Sequence, residues 1–302
     1  MQLDIFEHSR DVMLRNDVLQ ALECLDAPRS QARWHVLAQE YPCDDALSAL
    51  SRLIDATTAL VSQTEAPALA NHAALAQAQL ALTDELAPAA HSLMEVKLAQ
   101  AWLKPFWQSL IRRSAHLPYR ADAPAQHAAP LLLHIQDWPG AQEAVAGIES
   151  WRRIPTPLAW MAQARLNLLG LQASWPLLAE LAWLSPQRLN ALVQSAPDPI
   201  LKRLKAQFDA EFEPGLELTA SPGEPDADLA WFPAWVLTEA PALAPQLARA
   251  RPSQHSDAER GMRLMVELLG LERQGRHHEL VQHRRALRDL HAPLYAAYIA
   301  TR

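Results

Sequence analysis

Glycine is scarce in this chain, eight residues in 302, and so scattered that no glycine-rich loop exists to cradle a nucleotide phosphate. Cysteine is scarcer. Cys24 and Cys43 are too few for a disulfide framework and lack the paired spacing of a metal site. The expectation for both is a free thiol packed in the interior of a protein in a reducing compartment. An excess of positive charge is missing as well: a net charge of −7 argues against nucleic acid as the primary partner. No apolar run approaches the roughly eighteen residues of a membrane span, and the first residues lack the pattern of an export signal. A cytoplasmic protein with no membrane partner is expected. Sustained alternation of polar and β-branched residues is absent, which excludes a sheet. The G-x-S-x-G elbow of the α/β-hydrolases is absent too.

What is present is leucine, alanine and proline. Half the residues are hydrophobic and 23 are proline. Leu and Ala favour helix, whereas proline inside a helix loses a hydrogen bond and clashes with the preceding turn. The composition predicts many helices punctuated by prolines. Capped by Ser9 or Asp11, a first helix carries Leu14, Val18, Leu22 and Leu25 on one face and ends at Asp26-Ala27-Pro28. A second carries Ala32, Val36 and Leu37 and stops at Tyr41-Pro42. A third starts near Asp44-Asp45, whose carboxylates suit a helix N-terminus, and carries Leu47, Leu50, Leu53, Ile54, Thr57 and Leu60. Two more helices cover about 67–82 and 89–113, the latter interrupted or kinked at Pro105.

The prolines and loss of periodicity divide the chain into a helical lobe at 1–113, a linker at 114–130 and central hairpins at 131–212. An acidic, proline-rich loop follows at 213–230, then a C-terminal region at 231–302. In that last region the pair 257–273 and 277–290 hinges at Gly275, before a short tail helix.

Helix, glycine turn, helix and proline recur in "LLGLERQGRHHELVQHRRALRDLHAP". "LQALECLDAPRSQARWHVLAQEYPCDDALSAL" has the same order, and Trp138-Pro139 and Trp175-Pro176 lie thirty-seven residues apart. Across about two-thirds of its length the chain resembles the tetratricopeptide-like helical-hairpin proteins. The resemblance implies an all-α fold of irregular stacked hairpins, an α-solenoid, in which each hairpin buries its apolar face on the next. An irregular helical bundle is the alternative architecture.

Candidate chemistry is thin. His277, His278, Glu279 and His283 approach the zinc-protease motif H-E-x-x-H, but His278 and His283 are five residues apart, about 140° around a helix. They read as a solvated face, so neither a metal site nor another cofactor is expected. Arg273, Arg276, Arg284, Arg285 and Arg288 form the best basic patch, suited to phosphate or an acidic peptide. "AWFPAW", residues 230–235, is either core or the lining of a groove.

Gln2-Leu3-Asp4-Ile5-Phe6 resembles the short peptide by which many bacterial DNA polymerases and repair proteins dock on the replication sliding clamp. The resemblance implies Gln2 hydrogen-bonding at the rim of an apolar cleft, and Leu3, Ile5 and Phe6 entering it from an extended segment. The competing reading is local: apolar residues before a helix cap staple the chain onto the first turns.

Together these features point to a non-enzymatic scaffold or adaptor of a bacterial cytoplasm, holding a partner's peptide or helix on a helical surface. A replication or repair accessory docked on the clamp is the alternative. An enzyme with a site assembled from dispersed residues is the third reading.

Overall fold

Four helices open in the same way. Asp26, Asp137, Asp198 and His291 each sit at an N-cap and accept a backbone N–H of the first turn, while proline occupies one of the first two helical positions. The cap satisfies a donor the helix cannot, and proline has no N–H to leave unpaired there. Pro155 and Pro186 also stand at helix starts. Prolines expected to stop helices thus mostly begin them, and Asp26-Ala27-Pro28 opens the second helix rather than merely closing the first.

The computed structural model describes residues 3–62, 67–212, 227–252 and 256–302, without the side chains of 3–9 and 227. All regular structure among them is helical. The chain divides into two compact units, Met1–Ile135 and Gln136–Arg302. None of the described helices is long and apolar enough to cross a membrane.

The first unit contains α1 (Leu3–Glu23), α2 (Ala27–Glu40), α3 (Leu47–Ser62) and α4 (His72–Leu80). A π-helical segment (Ala81–Leu86) follows, then α5 (Ala87–Leu93), α6 (Val96–Ser114) and α7 (Ala128–His134). Helix α1 packs on α2, α2 on α3 and α3 on α5. Val18, Leu22, Leu37, Leu50, Leu53, Ile54, Leu75, Trp102 and Leu103 form the core. The expected face of α1 holds at Val18 and Leu22, but Ala32 and Val36 of α2 face outward. Arg10 clasps Glu40 through two bonds of 2.6 and 2.7 Å, tying α1 to α2. Asp44 takes the Ala46 N–H at 2.8 Å and Arg15 at 2.6 Å, fixing the entry to α3.

The helix expected to bend at Pro105 is instead broken at Met94, whose extended backbone separates α5 from α6; Pro105 lies inside α6. Residues 115–127 run as turns within this unit, with Leu117 and His127 buried.

The second unit contains α8 (Trp138–Ala146), a 3-10 turn (Trp151–Arg153), α9 (Pro155–Leu184), α10 (Pro186–Ser195) and α11 (Pro199–Glu211). A second 3-10 turn (Ala227–Trp231) leads into α12 (Phe232–Glu239), and a third (Pro241–Leu243) into α13 (Ala244–Leu247). Helices α14 (Asp257–Gln274), α15 (His277–Leu290) and α16 (Ala292–Ala300) complete it. Most of the acidic loop, 213–226, lies outside the described residues.

Helix α9 is broken into two arms at Gly170, whose φ of 78° and ψ of 178° are non-helical. Gly275, at φ 66°, closes α14 in the left-handed conformation, as its place between two periodic runs predicts. Trp138-Pro139 opens α8, whereas Trp175-Pro176 lies within the second arm of α9, so the two dipeptides occupy different structural positions. Phe208 meets Phe232 and Trp235 edge to face, 5.5 Å from each, while Phe232 and Trp235 stack on one another at 6.4 Å. Trp175 joins them 6.1 Å from Phe232. The "AWFPAW" tract is therefore mainly core: Phe232 and Trp235 are buried.

Candidate functional site

The structure places the residues singled out in the sequence as follows. Gln2 lies outside the described residues, as do the side chains of Leu3, Asp4, Ile5 and Phe6; the backbone of α1 is helical from Leu3. Cys24 and Cys43 are both exposed, not packed in the interior. Each lies in a turn that connects two helices.

His277 and His278 are exposed, and His283 turns its ring to the Glu279 carbonyl at 3.0 Å. Among the described residues no three His, Cys, Asp or Glu side chains converge on a point that could hold a metal ion. The basic patch is not a bare cationic surface. Arg276 pairs with Glu279, Arg284 with Glu272 at 3.3 Å, and Arg285 and Arg288 both face Asp289 at 3.7 and 3.4 Å. Arg273 donates to the Leu269 carbonyl at 3.1 Å. Exposed pairs add little stability, yet they neutralise the field that would attract a phosphate.

A concavity of the first unit lies elsewhere. A groove of about 400 Å³ lies between α3 and the π-helical segment, with α6 beneath. Arg52, Asp55, Ala56, Ala59 and Leu60 line one wall, in the i, i+3, i+4, i+7 pattern of a single helix face. Ala78, Ala81, Leu82, Glu85 and Leu86 line the other. Phe106 and Leu110 of α6, both buried, contribute apolar surface, and Arg113 stands at one end.

The alanines matter here because a methyl group leaves room that a leucine would fill. The π turn matters because its wider winding, with i→i+5 hydrogen bonds, resets which residues face α3. Such turns recur at functional sites in proteins generally. The charges on the walls are also uncommitted: Arg52, Asp55 and Glu85 enter no ion pair among the described residues, and Arg113 spends its Nε on the Pro67 carbonyl at 3.1 Å.

Sequence reading found Leu60 but not the groove. Apolar residues run all around α4, so its periodicity does not say which side faces the core. The signal that could have revealed it is the alanine-rich tract 73–90, where small residues crowd a helix with too many apolar faces.

Comparison with known proteins returned nothing: no family model, no curated protein and no solved structure matches the chain.

Proposed function

We propose that this protein is a non-enzymatic interaction module of a bacterial cytoplasm, and that the groove between α3 and the π-helical segment seats an amphipathic helix of another protein. The observation that carries the reading is the pairing of an apolar, alanine-lined trough with unpaired charges of both signs on its walls. A helix presenting Leu or Met at i, i+3 or i+4, and i+7 buries those side chains against Leu60, Leu82 and Phe106. Acidic and basic residues flanking that stripe meet Arg52 and Glu85, which sets orientation more than affinity. The resemblance to tetratricopeptide-like proteins supports the same class of activity, since their stacked hairpins bind partners in concave surfaces.

The test is selection from a displayed library of amphipathic helical peptides, followed by binding to wild type and to Ala78→Trp, which fills the trough. Peptides with that apolar spacing should be enriched and should lose at least about tenfold in affinity for the variant. Peptides without the spacing, or equal binding to both proteins, would sink the reading.

A second reading rests on Gln2-Leu3-Asp4-Ile5-Phe6 and makes the protein a replication or repair accessory tethered to the sliding clamp. Because α1 begins at Leu3, docking in an extended form requires the first turn to open, at modest cost for an end turn. A purified bacterial clamp should bind wild type and lose binding to Gln2→Ala/Phe6→Ala; equal binding would exclude this mode.

A further inference from the structure

The second unit holds a cavity of about 440 Å³ where the turn before α8, the first arm of α9 and the C-terminal end of α10 meet. Gln163 and Asn167, four residues apart on α9, line it from one face of that helix. Gln136 and Trp138 line it from the entry to α8, and Ser195 from the last turn of α10. Leu166 and Leu192, both buried, supply apolar surface. Unlike the groove of the first unit, this cavity has no ionisable side chain in its lining. Its volume falls within the range of about 300 to 1000 Å³ typical of small-molecule sites.

The polar lining is held in place yet largely uncommitted. Asn167 Nδ2 donates to the Gln163 carbonyl at 2.9 Å, which fixes the side chain and leaves Oδ1 without a partner among the described residues. Ser195 donates to the Leu192 carbonyl at 3.1 Å, so its oxygen can still accept. The carboxamides of Gln136 and Gln163 make no hydrogen bond to any described residue. The backbone that carries Trp138 is fixed on both sides: Asp137 accepts the Gly140 N–H at 3.0 Å, and Pro139 follows in the first turn of α8. The half-buried Trp138 ring pairs with no other aromatic ring among the described residues.

Gln136 holds a φ of 61°, a left-handed conformation that glycine adopts readily and glutamine does not. Among the described residues Leu25 and Ser150 are the other non-glycine positions with positive φ, and neither lines this cavity. A glycine would suit the backbone at 136 better, but it would remove a carboxamide from the lining. Strained residues of this kind cluster where ligands are held.

We propose that this cavity, with its three carboxamides, one hydroxyl and one indole, binds the pyranose ring of a neutral sugar. A charged ligand would enter with no counter-charge in the lining, and a wholly apolar one would leave the carboxamides unmatched. Each sugar hydroxyl both donates and accepts, as each carboxamide does through its two ends. Hydroxyls spread round a ring suit polar groups that come from three separate elements, while the C–H face of the ring packs on indole and leucine. A nucleobase is instead read along one edge by a single carboxamide. The site is distinct from the groove between α3 and the π-helical segment, and it stands whether or not that groove seats a helix.

The experiment uses the full chain and the methyl glycosides of glucose, galactose, mannose and N-acetylglucosamine, each titrated by saturation-transfer NMR. Adenosine and a blocked alanine tripeptide are the comparison ligands. At least one glycoside should bind wild type saturably at millimolar concentration. Gln163→Ala and Asn167→Ala should each weaken it by about fivefold, the loss of one neutral hydrogen bond. Trp138→Ala should weaken it by about tenfold or more, with circular dichroism checking that each variant is folded. Ser195→Trp, a change at an exposed position that blocks the cavity, should abolish binding and serves where a truncation unfolds the chain. Gln282→Ala, an exposed carboxamide on α15 outside the cavity, is the control and should change nothing. Absence of saturable binding by every glycoside would overturn the proposal. Equal affinity in wild type and the folded cavity variants would overturn it too, as would tighter binding of adenosine or the tripeptide.

Discussion

Tyr298, fully buried on α16, donates a short hydrogen bond to the carboxylate of Glu272 on α14. The same carboxylate faces Arg284 of α15 at 3.3 Å and Arg302 at 3.1 Å. Arg284 in turn donates through Nε to the Tyr298 oxygen at 3.0 Å. One phenol thus closes a ring of bonds among the last three helices. Tyr298→Phe removes a bond to a charged acceptor and leaves Arg284 without its oxygen. Urea unfolding followed by circular dichroism should show a loss of about 2 kcal/mol; an unchanged midpoint would mean the ring contributes no net stability.

Gly261 on α14 makes room for a tryptophan. A methyl group there would lie 2.6 Å from Cζ3 of Trp231, whose ring stacks on His291 at 3.8 Å, and 3.3 Å from Leu294. Gly261→Ala gains about 1 kcal/mol in helix propensity but overpacks the contact by about 1 to 3 kcal/mol. A net destabilisation with a shifted tryptophan emission spectrum is expected. A stabilised variant would show that Trp231 can yield.

Gly170 is required for a different reason. Nothing crowds its position, but φ 78° with ψ 178° is a conformation that glycine alone adopts readily. Gly170→Ala should cost about 1 to 3 kcal/mol in thermal unfolding, without any steric clash to relieve. An unchanged melting temperature would refute a sharp break at this point.

His127 makes the first unit sensitive to mild acid. Burial, and next the charge of His72, hold its pKa below the ordinary 6.5, and its Nδ1 accepts the Ala129 N–H at 3.1 Å to cap α7. The unfolded chain therefore takes up the proton more readily than the folded one. The stability contributed by neutral His127 is complete above about pH 6.5 and is lost as pH falls below it. Unfolding free energies at pH 7.5 and 5.5 should differ more in wild type than in His127→Asn, which retains a capping oxygen but does not titrate. Equal pH dependence would remove His127 as the cause.

Much of the helical framework was legible residue by residue. Val18 and Leu22 recur at the spacing of one face and are buried; Gly275 lies between two periodic runs and ends a helix. Legibility failed where two physical effects share one residue. Proline both ends and begins helices, and only the aspartate or histidine cap before it tells which. Cys24 and Cys43 resemble buried residues by type, but both lie exposed in turns between helices. The groove could not be read in advance. The groove depends on a π turn that leaves no trace in apolar spacing.

Those two outward-facing thiols have a practical consequence. Cys24 and Cys43 flank α2 in the unit that bears the groove, and the sequence contains no other cysteine. The native protein therefore carries its own pair of attachment points for a maleimide dye or a nitroxide, without any engineered substitution. Changes in the spacing of α1, α2 and α3 can be followed by fluorescence or electron spin resonance on unmodified sequence. By the same exposure, the protein needs a reducing buffer at high concentration, since thiols at the surface of two copies can join them covalently.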